Sequence, residues 1–239
     1  MDNRRKIIKK EIKKFKEKEL HDIYYQIVKK DKTYFQKYQI LPICPVKSWN
    51  FIWDNHDMPR NFAILDFIDW VKKYKITEIN NLGLTCNADP ELEFISCKEK
   101  TELPFPPFDL HEYYDHLFEK FDFFIFNQTI EHLYNPFVAL KNIYKYIKKG
   151  GYVYTSVPTI NIPHSTPIHY NGYNPMGLTL LFLTAGFEIL EVGQWGNYDY
   201  IQKLFKNHKW PDASKTERGC SHLNEERNVC QCWILAKKI

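Results

Sequence analysis

The stretch that decides the fold runs from Phe121 to Pro158: FDFFIFNQTIEHLYNPFVALKNIYKYIKKGGYVYTSVP. Its opening, Phe121 to Phe126, is almost wholly apolar, the mark of a strand buried on both faces in a parallel sheet. From Pro136 to Ile147 the residues Phe137, Leu140, Tyr144 and Ile147 fall on one side of a helix. Lys148-Lys149-Gly150-Gly151 stops that helix, and Tyr152 to Val157 reads as the next strand. A strand, a helix and a second strand in such short compass make a crossover unit of a parallel sheet.

The pattern continues on both sides. Downstream, Asn174-Pro175 opens a helix that Gly186 closes, Phe187 to Val192 is a strand, and Cys230 to Lys237 is the last strand. Between these two strands a polar insertion containing Pro211 runs to about Asn228. Upstream, Asn61 to Lys73 carries a broad apolar stripe (Phe62, Ile64, Leu65, Phe67, Ile68, Trp70, Val71) with Asp66, Asp69 and Lys73 on the opposite edge, which predicts a helix. Ile76 to Leu84 reads as a strand. Residues 89–96 stay open, because Asp89-Pro90-Glu91 signals a helix start while the following residues alternate like a strand. Leu103 to Phe108, LPFPPF, cannot be regular structure.

Composition narrows the class. Of 239 residues 44% are hydrophobic and 26% charged, which describes a soluble globular chain and excludes a disordered one. No run approaches the ~18 apolar residues of a membrane span. Residues 1–20 hold nine Lys or Arg against four Asp or Glu, so the net charge of +4 belongs to this segment and the rest of the chain is balanced. Residues 4–30 have amphipathic helical spacing, read as a solvated helix packed on the domain or a partner in preference to a nucleic-acid or membrane arm. The expected division is a basic helical extension and connector over 1–60 and a catalytic-type domain over 61–239. The N-terminus has no apolar segment behind its basic residues, so a cytoplasmic location with six reduced cysteines is expected. Cys220, His222, Cys230 and Cys232 are read as thiols and a loop histidine, not as a metal site, because their spacing lacks the usual zinc turn.

Several pieces together resemble one family. Phe121-Asp122, Asn127-Gln128, Glu131-His132, Lys149-Gly150-Gly151 and Pro158 are similar to the later motifs of class I S-adenosylmethionine-dependent methyltransferases of the ubiquinone-biosynthesis type, with Lys149 where that family has Pro. Residues 168–196 and Trp233 to Lys238 look like that family's closing elements. The resemblance covers about residues 62–239. It implies a Rossmann-like α/β fold with a seven-stranded, mostly parallel sheet and an antiparallel last strand, behind an N-terminal helical extension. The first half departs from the pattern: where the family has a glycine-rich turn, Glu78 to Thr85 holds Gly83 alone. Gly83 also lies only 44 residues before Asn127 (127 − 83), so one element has been trimmed, expected to be the first helix and its strand.

The resemblance also implies roles. S-adenosylmethionine is the expected cofactor, with Asn80 and Gly83 at its methionine end, Asp109 and Leu110 at the adenosine, and Asn127 and Gln128 beneath the sulfonium. His132, His164 and His169 are the candidate bases, since imidazole titrates near neutral pH, and no metal is assigned. The expected reaction is methylation of O or N on a small molecule or glycan precursor. A non-catalytic methyltransferase-like module and an RNA-directed enzyme are the alternatives, the latter disfavoured by the balanced charge of the body. Homo-oligomerisation stays open.

Overall fold

The computed structural model describes residue 22 and residues 24–30, 32–37, 58–85, 90–164, 168–211 and 223–239. Its elements in chain order are α1 (Met58–Lys73), β1 (Glu78–Leu84), β2 (Ser96–Glu102), β3 (Phe121–Ile125), α2 (Pro136–Tyr146), β4 (Ile147–Pro158), α3 (Pro175–Ala185), β5 (Glu188–Trp195), α4 (Tyr198–Asn207) and β6 (Gln231–Lys237). Two short helical pieces, Tyr24–Val28 and Lys32–Gln36, precede them.

Asparagine caps start three of the helices. Asn135 accepts from the Val138 amide, Asn174 from Gly177 and Asn197 from Tyr200, each meeting one of the orphan amides of a helix N-terminus. Gly186 closes α3 in the left-handed region, φ 110°. The segment left open resolves into a 3-10 turn, Pro90–Phe94, followed by β2. Helix α4 falls inside the stretch read as a polar insertion. Its apolar face buries Tyr200 and Leu204, but polar residues on the other side dilute the local signal.

The sheet order is β2-β1-β3-β4-β6-β5. β1, β2, β3 and β4 pair in parallel, and β6 lies antiparallel between β4 and β5. Six strands, not seven, are present among the described residues. The expected trimming therefore needs correcting. The strand after β1 is kept, the helix before it shrinks to one 3-10 turn, and beyond β2 the chain runs through loop and a short 3-10 turn, Asp115–Leu117, to reach β3.

Alternation along β3 divides the core. Phe121, Phe124 and Phe126 face α2 and α3 together with Leu140, Ile143 and Phe182. Phe123 and Ile125 face α1 with Phe67, Trp70, Tyr154 and Trp233. Both faces are covered, as a parallel sheet requires. Residues 24–30 and 32–37 pack onto this body: Val28 joins the core, and Tyr34 donates to Asp66 at 2.9 Å. Asp66 is buried, which raises its pKa, while Lys37 at 3.3 Å and the Trp233 indole at 3.0 Å oppose that shift. The greater part of the basic helix read over 4–30 lies outside the described residues, as do Cys220 and His222.

Gly83 sits inside β1 with the Phe124 ring across it. A Cβ there would stand 2.4 Å from Phe124 Cδ2 and 3.0 Å from Phe121. Gly83→Ala is expected to cost roughly 1–3 kcal/mol through overpacking, measured as a drop in urea midpoint with unchanged m-value.

Candidate active site

The carboxyl ends of β1, β2 and β3 open on a cavity of about 510 Å³, where an open parallel sheet places its ligands. Asn127 follows β3 and is buried. Its Oδ1 accepts the Ser156 amide at 2.9 Å, while its Nδ2 has no hydrogen-bond partner. Gln128 turns the chain with φ 49°, uncommon for a residue with a side chain, and both its amide and its Nε2 bond to Ser156. Thr129 Oγ1 donates to Asn127 O and lies 3.0 Å from Thr85 Oγ1, tying the end of β1 to the end of β3.

The loop after β2 forms an aromatic wall containing Phe105, Phe108, Leu110 and His111. Helix α2 holds this loop in place. Asn142 Nδ2 lies 3.0 Å from Leu110 O and 3.1 Å from the carbonyls of His111 and Glu112, and Tyr146 OH donates to Glu112 O. His111 Nε2 accepts from the Asn135 amide, so its proton sits on Nδ1 and is donated to Asp109 at 2.6 Å. Burial would raise the Asp109 pKa, but bonds from the His111 amide and ring outweigh it and hold the carboxyl below its usual range. His111 stacks on Tyr134 with ring centroids 3.9 Å apart. Arg60, from the first turn of α1, also lines the cavity, 4.0 Å from the fully buried Glu91.

Three imidazoles gather beside this cavity. His132 Nδ1 is 3.0 Å from Ile168 O, and His164 Nδ1 is 3.0 Å from Ile162 O. A carbonyl only accepts, so in the neutral form of each ring the proton sits on Nδ1 and Nε2 is left as a lone pair. The two Nε2 atoms face each other at 3.3 Å. That contact becomes a hydrogen bond only when the pair takes up one proton. His169 completes the cluster, its Nε2 donating to Asn171 O at 2.9 Å and its Nδ1 buried without a partner. Burial lowers the His132 pKa, and the neighbouring His164 and His169 lower it further. Beneath them Glu131 is 1% exposed, with neither carboxyl oxygen hydrogen-bonded and Oε1 4.0 Å from His132 Nε2. Its burial pushes the pKa up to about 8.

The residues picked from the sequence are not all in one place. Asp109, Leu110, Asn127, Gln128 and His132 line the cavity. His164 and His169 stand behind His132. Asn80 and Gly83 do not line it. Asn80 is exposed four residues before the carboxyl end of β1, and Gly83 is a packing glycine under Phe124. At that end of β1 it is Thr85 that reaches the cavity. Asp109 lies in the loop after β2. Arg60, His111 and Tyr134 escaped the sequence reading; the first lies in what read as an irregular connector, and α1 begins earlier than its apolar stripe suggested.

A family described as "Methyltransferase domain" matches residues 76–226, well over half the chain. The chain belongs to that family. It is a class I S-adenosylmethionine-dependent methyltransferase, with the Rossmann-like sheet of that class. No curated protein matches the sequence closely enough to count. Among solved structures it is similar to a putative methyltransferase from Bacillus halodurans (14% identity, 72% of this chain and 98% of that one, TM-score 0.46). A SAM-dependent methyltransferase from Archaeoglobus fulgidus is alike at 15% identity, 80% and 100% coverage and TM-score 0.46. A third, a methyltransferase from Haloferax volcanii in complex with the activator Trm112, is alike at 12% identity, 82% and 98% coverage and TM-score 0.49. Identities this low leave every residue role to this methyltransferase's own geometry.

Glu131 gives a pH signature. Folded, it keeps its proton up to about pH 8, against 4.5 unperturbed, so the native state binds more protons between those values and loses stability as pH rises through them. The difference in unfolding free energy between Glu131→Gln and the parent protein is expected to shift in favour of the variant from about pH 5 to about pH 8.5. Urea titrations at both pH values measure it. A difference independent of pH would mean a solvated carboxylate.

Proposed function

We propose that this methyltransferase methylates an oxygen or nitrogen of a small molecule or glycan precursor, with the His132–His164 pair taking the proton that the acceptor gives up. The observation that carries this is the pair of Nε2 lone pairs, 3.3 Å apart at the edge of the cavity, with their protons fixed on Nδ1 by carbonyls.

The cavity fits the cofactor. Its volume suits a small molecule, one side is aromatic, and the other has an orphan amide donor on Asn127 and a cation on Arg60. Asp109, Leu110 and His111, with the stacked Tyr134, would hold the adenosine, Asn127 and Gln128 the region of the sulfonium, and Arg60 the carboxylate. When bound, S-adenosylmethionine supplies an electrophilic methyl group. What the chain supplies is alignment, exclusion of water and a proton acceptor.

His132 can serve as that acceptor at neutral pH because burial and its two histidine neighbours keep it unprotonated. A proton arriving on its Nε2 is shared at once with His164 Nε2, which lies within hydrogen-bond distance. The positive charge is then spread over two rings, each held by a backbone carbonyl. Glu131, neutral below about pH 8, neither competes for that proton nor fixes the pair as a cation beforehand.

The balanced charge of the body favours a small acceptor over a nucleic acid. No helix among the described residues is long and apolar enough to cross a membrane. The protein is assigned to the cytoplasm in this proposal, and a homo-oligomer is compatible with it.

Calorimetry is expected to show S-adenosylhomocysteine binding that His132→Asn leaves unchanged, while kcat falls about 10²–10⁴-fold. Absence of binding at high micromolar ligand would favour a non-catalytic module. In the parent enzyme kcat should fall as pH drops through an inflection below 6.5, because the lowered pKa keeps the base free down to that point. The variant's residual rate should lack that limb.

A further inference from the structure

We infer that a second groove, on the far side of the histidine cluster from the large cavity, is a subsite for one uncharged sugar ring of the acceptor. This rests on the methyl-transfer proposal and narrows its substrate class. The groove measures about 290 Å³, the lower end of small-molecule sites and room for a single ring. Tyr170 lines both the groove and the large cavity, and His169 lines the groove with its ring 4.8 Å from His164. A ligand held there meets His169, the imidazole next to the proposed base pair.

The lining chemistry points to hydroxyl groups without charge. Among the described residues no Asp, Glu, Lys or Arg lines the groove, so these offer a phosphate or carboxylate no counter-charge. Two amides do line it, and their orientations are fixed by what they already bond. Asn161 Oδ1 accepts from the Ile162 amide and the Trp210 indole, both at 2.8 Å and both donors only, which leaves its NH₂ end without a bond. Asn171 Nδ2 donates to Leu133 O at 3.2 Å, which leaves its oxygen end without one. The amides therefore offer the groove spare N–H donors and a spare oxygen acceptor, and a hydroxyl, itself both donor and acceptor, satisfies either kind.

Aromatic surface supplies the remainder. Trp210 is 51% exposed and Tyr170 50% exposed. The single polar atom of Trp210 is spent on Asn161, which lines the groove, so the exposed indole tied to that residue has only apolar surface to present. A pyranose combines a ring of hydroxyls with C–H faces that pack on such rings. Apolar ligands would waste the amides, and ionic ligands would bury charge unpaired.

The test uses the full-length protein and saturation-transfer NMR with methyl glycosides of neutral hexoses and deoxyhexoses, alongside glucose 6-phosphate and p-cresol. Spectra are read with and without S-adenosylhomocysteine. The expected result is a signal from at least one neutral glycoside, with weaker or no signal from the other two probes. Asn161→Ala and Trp210→Ala should each weaken that glycoside at least tenfold while S-adenosylhomocysteine affinity stays as it was. The inference is overturned if no neutral glycoside binds, if p-cresol binds as well as the best glycoside, or if both variants bind it undiminished. Failure of S-adenosylhomocysteine to bind would instead count against the methyl-transfer proposal, and the glycoside signal would still decide the groove on its own.

Discussion

β3 and β4 run side by side through the centre of the sheet, and Asn127 fastens together the chain that leaves them. Its Oδ1 holds the Ser156 amide, while the next residue's amide bonds to the Ser156 carbonyl. This locks the turn after β3 to the neighbouring strand, at the cost of a left-handed φ at Gln128. From that turn the chain goes straight into Glu131 and His132. Were the lock loosened, the orphan amide of Asn127, the imidazole of His132 and the buried carboxyl of Glu131 would lose their common frame. The sheet core, with five consecutive buried residues from Phe123 to Asn127, is what makes the lock rigid.

Neutrality is the second constraint on the site. Four ionisable groups, Glu131 and three histidines, crowd into one partly buried volume. Charging all of them would bury several ions with little water to solvate them. Burial keeps Glu131 protonated and His132 unprotonated near neutral pH, so neither of these two brings a charge into the cluster. Backbone carbonyls orient at least two of these imidazoles, which needs no further charged partner. The loop carrying His169 is tied to the same turn, because the amides of Tyr170 and Asn171 both donate to Glu131 O.

The wall of the cavity illustrates how a shortened fold compensates. With β2 at the edge of the sheet, the chain from Pro104 to Lys120 pairs with no strand. Side chains of α2 take over. Asn142 and Tyr146 meet carbonyls that a further strand would have bonded, and the Tyr114 amide donates to Tyr146 OH. An irregular loop held this way can present Phe108, Asp109 and His111 to a ligand as firmly as regular structure does.

Much of this was legible in the residues themselves. The apolar run at 121–126, the helix start at Asn174-Pro175, the Gly186 stop and the last strand all report local physics: periodicity, backbone φ and orphan amides. Those interactions lie within one or two turns of chain, so sequence alone determined the order and type of most elements and the run of strand ends where a site should lie. Tertiary structure decided the rest. Alternation tells which face of β1 a residue occupies but not how far along the strand the cavity opens, so Asn80 and Gly83 read as cofactor contacts although one is exposed and the other serves the Phe124 ring. His132 and His164 are 32 positions apart, and the 3.3 Å between their Nε2 atoms exists only because two distant loops bring their carbonyls to the right places. Proximity of that kind depends on packing between segments, which no single stretch of chain encodes.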